Sequence, residues 1–317
     1  MSYYRHRLPQ LSDKVFITDA GLETVLLFQQ GWDLPDFAAF TLMDRPLGTE
    51  AMHNYFNTYG HLAQTYKLGL ILESPTWRAS TDWGIRQGYS ATALADVNRR
   101  AIALLQLTRT SYTTIESPII ISGCIGPRGD GYSPDAIMSN TEAEQYHQVQ
   151  VNTFRDTAAD LISAITMTYP QEAIGIARAA KNVQMPVAIS FTVETDGQLP
   201  TGMSLEDAIF MVDAATDSYP AYYMINCAHP IHFDRAILNQ DTWVERIRGI
   251  RANASMMSHD ELDESEILDE GNPQDLGERL YRLRQQLPQL TILGGCCGTD
   301  HRHIEAICKT CSPVLID

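Results

Sequence analysis

No stretch of this chain approaches the ~18 consecutive apolar residues of a membrane span. The N-terminus, Met1-Ser-Tyr-Tyr-Arg-His-Arg-Leu-Pro-Gln10, has no apolar run behind its basic residues, so a secretory signal is not expected. Basic residues are scarce, 23 Lys and Arg against 39 Asp and Glu, for a net charge of -16. Nucleic acids and anionic membranes are held by clustered cations, so neither is an expected partner. Cysteine is sparse as well. Six in 317 residues is not the density of a disulfide scaffold, and the expectation is a cytoplasmic protein with reduced thiols. No Gly-x-Gly-x-x-Gly follows the first apolar run and there is no P-loop, which counts against nucleotide binding.

Against these absences stands one dense stretch, Leu290-Thr-Ile-Leu-Gly-Gly-Cys-Cys-Gly-Thr-Asp300. Leu290 to Leu293 reads as a short buried strand that runs into Gly294 and Gly295. Two adjacent thiols follow, Cys296 and Cys297, and a helix begins near Asp300. A strand, a glycine turn and a helix form the usual setting for reactive groups on an α/β protein. A second apolar strand, in Tyr222-Tyr-Met-Ile-Asn-Cys-Ala-His-Pro230, ends in Cys227. Thiolates gathered this way suit a soft metal, most simply zinc. Buried apolar cysteines and a redox couple are the alternatives. The glycine pair favours a ligand over core filling, because glycine lets the backbone come close. The spacing is not that of a zinc finger, so any metal site must be assembled by the tertiary fold.

Eight short apolar runs alternate with helical runs along the chain. The strands are expected at Val15–Gly21, Leu68–Ser74, Pro118–Gly126, Leu161–Thr166, Pro186–Thr192, Tyr222–Asn226, Arg248–Asn253 and Leu290–Leu293. This is the pattern of a parallel sheet with crossover helices, and eight units close into a (β/α)8 barrel, residues 1–317 forming one domain. An open doubly wound sheet is the runner-up. Asp19, Thr76, Cys227, Asn253, Cys296 and Cys297 all fall at or just after strand ends, where barrels keep their active sites. Thr141 and Glu144 fit a capping box for the helix after the third strand. The acidic stretch from Ser258 to Glu270, within an insertion of about 258–272, reads as a solvated insertion.

These stretches resemble the zinc-dependent homocysteine S-methyltransferase family over nearly the whole chain. Asp19-Ala-Gly-Leu-Glu-Thr24 resembles its opening Asp-Gly-Gly-Leu turn, and Thr76-Trp-Arg-Ala-Ser80 its Thr-Tyr-x-Ala-Ser stretch. Ser122-Gly-Cys-Ile-Gly-Pro127 resembles its Gly-Ser-Ile-Gly-Pro loop. Asn226-Cys227 and Gly294-Gly-Cys-Cys-Gly-Thr299 resemble its Asn-Cys and Gly-Gly-Cys-Cys signatures. The resemblance implies Zn2+ held by Cys227, Cys296 and Cys297. It also implies a small-molecule thiol acceptor, most simply homocysteine, and a small sulfonium or betaine-type methyl donor. Asp19 is the candidate for the acceptor's polar end, and Thr76 and Asn253 are candidate pocket hydrogen-bonders. The chain departs from the family at three points. Ile165 stands where the family has a glutamate for the acceptor's amino group, Ala20 replaces a glycine, and Arg251-Ala-Asn253 replaces Tyr-Pro-Asn. A different thiol or selenol acceptor, or a zinc or thiol sensor without turnover, are the competing readings. His229, His301 and His303 are read as supporting or solvent-facing, Cys124 as core, and Cys308 and Cys311 as an incidental pair open to surface oxidation.

Overall fold

The computed structural model describes residues 1–134, 136–238, 241–265 and 267–312. Its strands are the expected apolar runs: β1 Phe16–Thr18, β2 Gly69–Glu73, β3 Ile119–Ile125, β4 Leu161–Met167, β5 Val187–Thr192, β6 Tyr222–Asn226, β7 Ile247–Ala252 and β8 Ile292–Gly295. Almost every strand residue is buried, as expected where parallel strands are covered on both faces. Neighbouring strands pair in parallel in chain order, and β1 pairs with β8, Phe16 opposite Ile292 and Ile17 opposite Leu293. That closing pair rules out the open sheet and makes the fold a (β/α)8 barrel.

Each strand is followed by a helix of the outer ring. These are α2 Pro46–Thr65, α4 Ala91–Tyr112, α5 Asn140–Arg155, α6 Pro170–Asn182, α7 Leu205–Thr216, α8 Pro230–Ile237, α10 Pro273–Gln286 and α11 His301–Cys311. Three short helices, α1 Leu22–Thr24, α3 Thr81–Arg86 and α9 His259–Asp263, lie in loops at the C-terminal ends of β1, β2 and β7. The capping box of α5 is Ser139 with Glu142, not Thr141 with Glu144. Both pairs fit the same spacing, and the helix takes the earlier one. Cys308 and Cys311 are also corrected. They face inward from α11, 0 % and 6 % exposed, and pack in the layer between strands and helices rather than on the surface.

The lumen is graded along its axis. Phe16, Ile71, Ile120, Leu161, Ala188, Met224 and Ile292 are buried, and all but Ala188 carry large side chains; together with Tyr222 they fill its N-terminal half. Two residues further along the same strands stand Thr18, Glu73, Ser122, Ser163, Ser190, Asn226 and Gly294, with Arg251 beside them on β7. Side chains two apart on a strand share a face, so the polar set sits above the apolar plug. It is buried and internally bonded: Ser122 Oγ and Ser163 Oγ are 2.7 Å apart, and Ser190 Oγ donates to Asn226 Oδ1 at 2.6 Å.

Candidate metal centre

The three candidate thiols rise from the ends of β6 and β8, on either side of β7. Cys227 takes a left-handed backbone, φ 52°, at the end of β6. A residue with a side chain holds such a conformation only where its surroundings enforce it. Here the Cys227 N–H donates to Arg251 O at 3.1 Å and its own carbonyl lies 2.6 Å from His259 Nε2. Asn226 spends its amide on its neighbours. Its Oδ1 accepts from Ser190 Oγ and from the N–H of Thr166, which is itself left-handed, and its Nδ2 donates to Thr166 Oγ1 and points at Cys296 Sγ, 4.0 Å away. The β8 end is set by glycine: a Cβ on Gly294 would collide with the Thr18 side chain. Cys296 N–H donates to Ala252 O at 2.8 Å, and Cys297 O accepts from Ala254 N–H at 3.0 Å. Both thiols are therefore held by β7.

In this structure Cys227 and Cys296 are paired as a disulfide, their Cα atoms 5.4 Å apart, and Cys297 Sγ lies 3.8 Å from Cys227 Sγ. All three sulfurs fall within 4.8 Å of one another, and among the described residues no other His, Cys, Asp or Glu group gathers in this way. Sulfurs around a tetrahedral zinc with bonds of about 2.3 Å stand roughly 3.8 Å apart. The Cys227–Cys297 spacing matches that, so the reduced trio is a fitting donor set.

Two further side chains reach the trio and a third backs one of them, and none was a site candidate from the sequence. Tyr132, in the loop after β3, brings its hydroxyl to 3.7 Å from Cys297 Sγ. Its ring lies 4.2 Å from that of His259, whose Nδ1 is 2.9 Å from Glu194 Oε1. His259 belongs to the acidic stretch, so that stretch is more than a solvated insertion. It is tied at both ends: by His259 to Cys227 and Glu194, and by Glu270, whose carbonyl meets His303 Nε2 at 2.8 Å and whose carboxylate pairs with Arg302 at 2.9 Å. The one signal available was a lone histidine in an acidic run. Cys227, Glu194, Asn253 and His259 line a common cleft.

The other candidates separate. Asn253 lines that cleft, and its Oδ1 is buried without a partner. Thr76 is 0 % exposed and its hydroxyl is committed to the loop after β2, 2.7 Å from Cys124 O and 2.6 Å from Ser74 Oγ. Asp19 is buried at the end of β1, where its carboxylate takes Arg251 Nη2 at 2.9 Å and the Tyr55 hydroxyl at 3.2 Å. Glu73 faces the same guanidinium at 3.9 Å. Burial pushes both carboxyls upward and Arg251 opposes it. Two carboxyls thus share one guanidinium. Ile165 packs with Cys124 and Trp77 in an apolar cluster. None of the three histidines joins the sulfurs. His229 caps α8, His303 caps α11, and His301 is exposed.

Residues 16–311 match the sequence profile described as Homocysteine S-methyltransferase. The chain belongs to the homocysteine S-methyltransferase family. It is a methyltransferase by that membership. No curated sequence is similar enough to count as a match. Among solved structures, the homocysteine methyltransferase MmuM from Escherichia coli in its oxidized form superposes with a TM-score of 0.76 at 18 % identity, over 96 % of this chain and 99 % of that chain. Its metallated form gives 0.73 at 18 % identity, over 93 % and 96 %. At this identity the likeness is one of fold. No helix among the described residues is long and apolar enough to cross a membrane.

Proposed function

We propose that this chain transfers a methyl group from a small sulfonium or betaine-type donor to the sulfur of homocysteine, giving methionine, with zinc held by Cys227, Cys296 and Cys297. The observation that carries the reading is the gathering of those three sulfurs within 4.8 Å at the C-terminal end of the barrel. Bound there, zinc supplies an acceptor sulfur that is ionised at neutral pH, where a free thiol with a pKa of about 8.5 is mostly protonated. The carbon–sulfur bond to the acceptor forms as the bond from methyl to the cationic sulfur or nitrogen breaks, and the donor leaves neutral at that atom. The chain's own part is positioning. Asn226 and the β7 backbone hold the cysteines, Tyr132 stands against Cys297, and Asn253 offers its free Oδ1 to the cleft. Asp19, with Glu73 behind Arg251, is our assignment for the acceptor's ammonium, because two carboxyls share one guanidinium there.

One observation favours homocysteine being held differently from the family pattern. Ile165 offers no carboxylate and sits among apolar neighbours. Reduced thiols are a condition of the reading, so it also places the protein in the cytoplasm. The test is methionine formation by reduced, zinc-loaded protein given homocysteine with S-methylmethionine, S-adenosylmethionine or betaine, run beside Cys297→Ala. Methionine from one donor, absent in the variant, is the expected result. No methionine from any donor, despite stoichiometric zinc, would sink the proposal.

A further inference from the structure

Three arginines are deeply buried in this barrel: Arg78, Arg109 and Arg251, 5 %, 2 % and 7 % exposed. Two of them are matched. Arg109 pairs with Asp160 at 2.9 Å, and Arg251 with Asp19 at 2.9 Å. Arg78 is not. Its guanidinium lies between two indoles, 4.0 Å from the Trp77 ring and 3.9 Å from the Trp83 ring. Nη1 donates to Gly129 O at 2.9 Å, and Nε is buried with no partner. A buried cation without a counter-charge is costly, and proteins rarely keep one idle. Burial pushes Arg78 down to about 10, while Asp130, Tyr132, Glu23 and Asp36 pull the other way from beyond ion-pair distance.

Its place ties it to the sulfur centre. Arg78 lies between β2 and α3, at the C-terminal end of the barrel. The loop after β3 joins the two: Gly129 holds Arg78, and three residues on, the Tyr132 hydroxyl meets Cys297 Sγ. With both faces stacked and Nη1 engaged, Nε is left as an unspent donor, and Nη2 stands on the same edge. That edge matches a carboxylate, which accepts two parallel N–H bonds. We propose that Arg78 is a specificity-determining residue that binds the carboxylate of an amino-acid substrate at the sulfur centre. The inference rests on the proposed methyl transfer. Acceptor and donor can both carry a carboxylate, and the experiment separates them.

Binding to reduced, zinc-loaded protein is followed by tryptophan fluorescence, since Trp77 and Trp83 flank the guanidinium. Two ligand pairs are titrated: homocysteine against homocysteinamide, and S-methylmethionine against S-methylmethioninamide. The wild type is expected to bind the carboxylate member of one pair at least about tenfold more tightly, the scale of a charge-assisted hydrogen bond. Which pair responds names the substrate. Arg78→Gln is expected to remove the preference. Should that variant fail to fold, Arg78→Lys, which keeps the charge and loses the fork, must lower the preference. No preference in the wild type for either pair, or a preference that survives the substitution, overturns the inference. Methionine formation is scored separately. Turnover without carboxylate preference overturns this inference alone, and preference without turnover overturns the proposed function alone.

Discussion

At the N-terminal end of the lumen, Phe16, Ile71, Ile120, Leu161 and Ile292 fill the barrel with hydrocarbon. Two residues along the same strands, the positions are Thr18, Glu73, Ser122, Ser163 and Gly294, and the sulfurs rise just above. Backbone geometry, burial and strand pairing are alike at the two levels; the side-chain chemistry is not. Below, the fold gains stability from contacts that ask only for size and shape. Above, it encloses two carboxyls and a guanidinium, which cost free energy to bury unless each is matched, and it opens onto three sulfurs. The lower half holds the barrel together so that the upper half can be held at all.

That comparison can be broken from either side. The largest effect is expected from Cys297→Ala, at the exposed edge of the trio. Zinc content and methyl transfer should both be lost, while stability shifts by no more than about 1 kcal/mol; metal analysis beside urea denaturation checks this. Phe16→Ala should do the reverse, costing about 3–5 kcal/mol of stability through the cavity it leaves, with correctly folded protein still binding zinc. Arg251→Met tests the seam between the halves. Leaving Asp19 and Glu73 buried without their cation should cost about 3–5 kcal/mol near neutral pH. The deficit against wild type should shrink as the pH falls and these carboxyls protonate; a deficit that grows in acid would contradict the ion pairing. The smallest effect is expected at Glu23, which burial chiefly, and Asp19 in addition, raise from 4.5 to about 7. Between those values the folded chain holds the extra proton, so stability from this group falls as pH rises from 4.5 through 7. Glu23→Gln should remove that slope, measured as urea midpoints across the range.

The same contrast explains what could be read in the amino-acid order. Eight apolar runs announce eight strands because burial on both faces demands continuous hydrophobicity. The run Tyr222–Asn226 matches β6 residue for residue. β8 lies two residues later than expected, Ile292–Gly295, because its last positions are glycines that read as a turn while they in fact pair with β7. Helix α2 begins at Pro46, in a stretch, Pro46-Leu-Gly-Thr, that has no apolar period to announce it. Cys227, Cys296 and Cys297 stood out through their strand-end positions. Tyr132, Glu194 and His259 did not, because Tyr132 meets Cys297, His259 the Cys227 carbonyl and Glu194 that histidine only through loops whose paths depend on tertiary packing. Arg78 was visible as a letter and not as an unmatched charge; only the positions of its neighbours make it one.

The pairing of β1 with β8 brings Phe16 opposite Ile292. Cys296 and Cys297, just past β8, therefore meet Cys227 only once β8 has been made and the ring has shut. Contacts this distant in sequence form late and slowly. A chain cut before Cys296 has no three-sulfur cradle to offer, so metal uptake would report closure of the ring. Metal capture would then serve as a sign that the barrel has closed.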